Sequence, residues 1–155
     1  MLQVRRAIPA KLVAVTLYSA LLLGFSQAPS AAENCDRACL GSLITQYVDA
    51  VVARDHSKLP LAENVRYTED SKALKLGEGI WQATTTKGGF RHDYLDTRKQ
   101  VAATHVQLLE GKNTVLYSVL LHVKDQKIAG IETLVQRITP DSRFQPTELG
   151  KRSRA

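Results

Sequence analysis

From Asn113 to Ile138 the chain reads NTVLYSVLLHVKDQKIAGIETLVQRI, and its polarity alternates with period two. Val115, Tyr117, Val119, Leu121 and Val123 fall on one side. Thr114, Leu116, Ser118, Leu120 and His122 fall on the other. A strand with one fully apolar face is the expected result. The polar turn Lys124 to Lys127 then lets Ile128 to Arg137 return beside it as a long antiparallel hairpin. That apolar face needs a cover. Between Asp36 and Asp55 the apolar residues Leu40, Leu43, Ile44, Tyr47, Val48, Val51 and Val52 recur at three-and-four spacing, the stripe of an amphipathic helix. This helix is the predicted cover.

Between helix and hairpin the pattern predicts a short strand over Asn64 to Asp70 and an extended piece over Ala73 to Leu76. Gly77 and Gly79 break it, and Ile80-Trp81 form an apolar anchor. Phe90 to Leu95 and Val101 to Leu109 complete a meander of four strands with the hairpin. The expected class is α+β, an antiparallel sheet under an N-terminal amphipathic helix.

The ends change the picture. Arg5, Arg6 and Lys11, the apolar run Leu12 to Phe25 and the small residues Ser30-Ala31-Ala32 read as a secretory leader over residues 1–32. Its apolar run, about 14 residues, falls short of the roughly 20 of a membrane span. A secreted or periplasmic protein without a stable anchor after processing follows. From Pro140 onward the composition is that of a flexible basic tail, 140–155, which leaves 33–139 as the domain.

The formal charge of +6 falls to +3 when Arg5, Arg6 and Lys11 are removed, and the tail carries most of the remainder. No cluster of Lys and Arg is left for phosphate binding, so nucleic acid is not an expected partner. Cys35 and Cys39 read as a structural disulfide in an exported chain, with two free thiols as the alternative. No His or Cys set has metal-ligand spacing, and no nucleotide or cofactor fingerprint occurs, so neither metal nor cofactor is expected.

The helix-over-sheet pattern, with NVRYTED, LKLGEGIW and IETLVQR, resembles secreted members of the nuclear transport factor 2-like superfamily. That group includes the SnoaL-like polyketide cyclases and the ketosteroid isomerases. The resemblance spans roughly Cys35 to Arg137 and implies a cone-shaped, curved sheet with a pocket for a small hydrophobic molecule. It also places Glu69 near the position of a general base. Burial in an apolar cup would raise such a carboxylate's pKa towards neutrality; the alternative is a surface turn capped by Glu69 with Asp70.

Tyr67 would then be a hydrogen-bond donor, and Trp81, Tyr47 and Leu116 walls, with Trp81 equally readable as a plug. Glu132 is either a pocket acid or a strand residue on the solvent face. His105 either orients a substrate carbonyl or is a half-exposed strand histidine. Two functions stand side by side: an exported pocket domain that binds a small hydrophobic molecule and converts it by proton transfer, or a non-catalytic module that forms a homodimer through its sheet face.

Overall fold

The computed structural model describes residues 34–83, 86–146, 148–149 and 151. The expected leader lies outside them. The helix α1, Arg37–Ala53, starts where Asp36 accepts the Cys39 N–H at 2.7 Å, and it ends at Arg54 in a left-handed conformation. Its buried residues are Leu40, Leu43, Ile44, Tyr47, Val48 and Val51, the predicted stripe. Cys35 and Cys39 are joined by a disulfide, their Cα atoms 5.2 Å apart. Gln100 clamps the same corner: its carboxamide oxygen accepts the Cys35 N–H at 2.7 Å while its nitrogen donates to the Cys35 carbonyl at 2.9 Å.

Six strands follow: β1 Leu61–Glu69, β2 Lys72–Leu74, β3 Thr86–Asp96, β4 Val101–Glu110, β5 Asn113–Lys124 and β6 Lys127–Ile138. A 3-10 helix, Gly79–Gln82, lies between β2 and β3 in place of a simple turn. The spatial order is β2-β1-β6-β5-β4-β3. Four of the five contacts are antiparallel, but β1 and β6 run parallel, so the sheet is mixed where an antiparallel one was expected. The cause is topological. After β2 the chain passes to the far edge of the sheet, and the meander β3 to β6 brings its last strand back alongside β1.

The β5–β6 turn is tighter than the four residues expected. Only Asp125 and Gln126 lie between the strands, both at positive φ, 52° and 59°, which suits the right-handed twist of a hairpin. Register shifts interrupt the β1–β6, β3–β4 and β5–β6 ladders, and such bulges bend a sheet. The curved sheet places Ala102, Val106, Leu108, Val115, Tyr117, Val119 and Leu121 under α1, all buried.

A polar rim fastens the helix to β3. Arg91 donates to Thr45 on α1 at 2.8 Å and to Asp93 at 2.8 Å, and Lys87 pairs with Asp49. Beyond β6, Thr139 and Ser142 hydrogen-bond to each other, and Gln145 donates to the carbonyls of Thr139, Pro140 and Ser142. The start of the expected flexible tail is thus a local turn.

The two faces of the hairpin differ in what a truncation removes. Leu121→Ala, at a site with no exposure, should cost about 2–5 kcal/mol. Leu134→Ala, 59% exposed on the other face, should change stability by no more than about 0.5 kcal/mol. Urea midpoints of the two variants check the assignment.

Candidate functional site

Strand alternation carries Tyr67 and Glu69 to the helix-covered side of β1. The Tyr67 hydroxyl donates to Glu69 Oε2 at 2.7 Å, and the Ile80 backbone N–H donates to the same oxygen at 2.9 Å. Glu69 therefore anchors the 3-10 helix rather than capping a surface turn. Asp70 makes that turn instead, accepting the Val135 N–H at 3.0 Å. Gly79 is required at the anchor. Its φ is +66°, and a Cβ there would lie 2.7 Å from the Glu69 carboxyl carbon. Among the described residues, Glu69 Oε1 accepts no hydrogen bond.

A second polar pair sits deeper. The hydroxyls of Tyr47 on α1 and Tyr117 on β5 are 3.1 Å apart. Trp81 meets Tyr47 edge-on with ring centroids 5.5 Å apart, and His56 meets Trp81 in the same way at 5.8 Å. Among the described residues, the buried Trp81 Nε1–H has no hydrogen-bond partner.

Burial pushes the Tyr47 and Tyr117 phenols well above their ordinary pKa, and the charge on Glu69 adds to this. Tyr67 is raised by burial first and then by its bond to Glu69. These groups remain neutral donors through the physiological range. Four expected site residues, Tyr47, Tyr67, Glu69 and Trp81, are thus brought together. They pack on one another and on Tyr117, and no more than 9% of any of the five is exposed.

The other three are on the opposite face. Glu132 stands across from Leu120, His105 from Ser118, and Leu116 between Gln107 and Gln136. Leu116 is therefore no wall of the helix-side interior, because it shares the parity of Ser118 and Leu120 rather than that of Tyr117. Glu132 is no acid in that interior either: its carboxylate takes the outward position and meets His122 Nε2 at 2.9 Å. His105 Nδ1 lies 2.8 Å from Ser118 Oγ. Tyr94, 51% exposed, stacks on His92 at 4.5 Å and meets His105 edge-on at 5.6 Å.

This outer face carries an open depression of about 440 Å³. Ala103, Leu120 and Leu134 supply apolar lining, and Thr68, His105, Ser118 and Glu132 supply polar groups. Sequence reasoning missed Ser118, Leu120 and Leu134 as lining, although their shared parity on the hairpin was there to be read. It also missed Tyr117 as the partner of Tyr47; the only signal was a tyrosine at mid-strand on an apolar face.

Among the described residues, no group of three or more His, Cys, Asp or Glu is placed to hold a metal ion, and no helix is long and apolar enough to cross a membrane.

No known protein-family profile matches the chain, and no curated protein matches it in sequence. Solved structures do. A candidate ketosteroid isomerase from Kribbella flavida DSM 17836 is 18% identical over 76% of this chain and 92% of its own, with a TM-score of 0.51. An NTF2-like protein of unknown function from Cytophaga hutchinsonii ATCC 33406 is 12% identical over 63% of this chain and 89% of its own, with a TM-score of 0.49. A de novo designed NTF2-fold protein is 11% identical over 75% and 92%, with a TM-score of 0.45. With its bent six-stranded sheet in the order β2-β1-β6-β5-β4-β3 and α1 laid across one face, the chain has the nuclear transport factor 2-like fold.

Proposed function

We propose that this is an exported domain that binds a small, largely apolar molecule on the outer face of its sheet. The observation that carries the reading is the match of volume and lining. About 440 Å³ falls within the range of small-molecule sites, roughly 300–1,000 Å³. Its apolar floor, bordered by His105, Ser118 and Glu132, offers both contact area and a few orienting hydrogen bonds. The helix-side interior offers less room, since Tyr47, Trp81 and Tyr117 are at most 1% exposed. Export is supported by the leader-like residues 1–32 and by the Cys35–Cys39 bridge, a linkage that persists in oxidising compartments.

A second reading, proton transfer at Glu69 in an isomerisation, cyclisation or dehydration, is favoured by one observation. Tyr67 and the Ile80 N–H hold Oε2 while Oε1 is unengaged, which is how a positioned general base is arranged.

The readings separate by mutation. Leu120→Arg should abolish binding of an apolar fluorescent dye while leaving the unfolding free energy from urea titration within about 0.5 kcal/mol of the parent. Glu69→Gln should leave dye binding intact. If turnover of any substrate is found, the same change should lower it by about 10²–10⁴-fold under the second reading. Sedimentation at several concentrations distinguishes a bound small molecule from a second copy of the chain seated on the same face.

The interior generates a pH expectation of its own. Tyr47, Tyr67 and Tyr117 have folded pKa values above the unfolded value of 10.0. The folded state therefore keeps protons that the unfolded chain releases above pH 10.0. Stability from this source is complete below that pH and is lost progressively as pH rises from there towards the higher folded values. Urea midpoints should be level below pH 10 and fall above it, with the phenolate absorbance of these residues rising only as the chain unfolds.

A further inference from the structure

We propose that the outer-face site takes small amphipathic carboxylates, with the acid group at Arg66 and the apolar chain along Leu120 and Leu134. The inference rests on the binding reading above and adds a ligand class to it. A second depression of about 380 Å³, lined by Arg66, His122, Gly130 and Glu132, adjoins the first, and the two share Thr68 and Glu132. In the sheet register Arg66 stands beside Gly130, and Gly130 beside His122. The path from Gly130 to Leu134 follows β6 for roughly 13 Å, at about 3.3 Å per residue. That is the length of a medium acyl chain.

Charge decides which end is which. The Glu132 carboxylate is already engaged by His122 at 2.9 Å. The Arg66 guanidinium, exposed in the same groove, makes no hydrogen bond or ion pair with any described residue. Arginine presents a planar fork of donors that matches the two oxygens of a carboxylate. Gly130 keeps the floor between Arg66 and His122 low, since a Cβ there would come within 3.3 Å of the His122 ring. Among the described residues, the lining around Leu120, Leu134 and Ala103 contains no Lys or Arg. A neutral ligand would leave Arg66 unused, and a cationic one would have to compete with His122 for Glu132 while facing Arg66.

The test is calorimetric titration of the folded protein with decanoate, decanol and decyltrimethylammonium at low salt. Decanoate should bind about fivefold more tightly than decanol, the gain expected of one solvent-exposed ion pair. Added salt should shrink that margin. Arg66→Met should remove both the margin and its salt dependence while leaving decanol binding unchanged. Should Arg66→Met not fold, the salt dependence of the parent protein decides the matter.

Equal binding of decanoate and decanol, or a preference for the ammonium, overturns the carboxylate assignment and leaves the binding site standing. Binding of none of the three, in a protein that folds, overturns both.

Discussion

Successive side chains of a strand point to opposite faces, and burial along β5 alternates accordingly from Thr114 to Lys124. Val115 to Val123 commit one face of the sheet to a dry interior, and the neighbouring strands must match it. Ala102, Val106 and Leu108 on β4 and Ile131 and Thr133 on β6 do so. The helix α1 is the layer that removes this surface from water, and its stripe of six buried residues fits the width left to it. Every later feature, including which carboxylates are inside, follows from the parity set along this hairpin.

The dry side nevertheless contains polar groups, and their arrangement shows how their cost is offset. Glu69 is 9% exposed and holds two donors on one oxygen, Tyr67 O–H and Ile80 N–H. Buried polar atoms are tolerated when hydrogen-bonded, and a lost partner costs about 1–3 kcal/mol. Tyr47 and Tyr117 satisfy each other across the helix–sheet boundary. The carboxylate thus joins the end of β1 to the 3-10 helix, while the tyrosine pair joins α1 to β5. The same groups hold these four elements in register.

The outer face obeys the opposite rule. Leu116, Leu120 and Leu134 share it with His92, His105 and His122, so apolar and titratable groups are interleaved. The fold itself carries no chemical assignment, since the same architecture serves many unrelated roles. In this chain two open depressions of about 440 and 380 Å³, each lined by polar and apolar side chains, lie on the side of the sheet without the helix.

Local pattern made much of this legible. Periodicity of 3.6 and 2.0 located α1 and the long strands, and the four-residue spacing of Cys35 and Cys39 identified the bridge, because each signal depends only on neighbours in the chain. The parity of Leu116 and Glu132 was also readable, yet Leu116 was expected as a pocket wall and Glu132 was left open as a pocket acid, and the strand register puts both on the outer face. The parallel β1–β6 pairing, the extension of β1 back to Leu61 and the meeting of Glu69 with Ile80 were not readable. They depend on register between segments far apart in sequence, which no local propensity encodes. By itself the sequence determined which faces were apolar and which were not. Only the tertiary structure decided that the acid at Glu69 is tied into the interior while the acid at Glu132 faces a groove, because that choice rests on how distant strands are aligned.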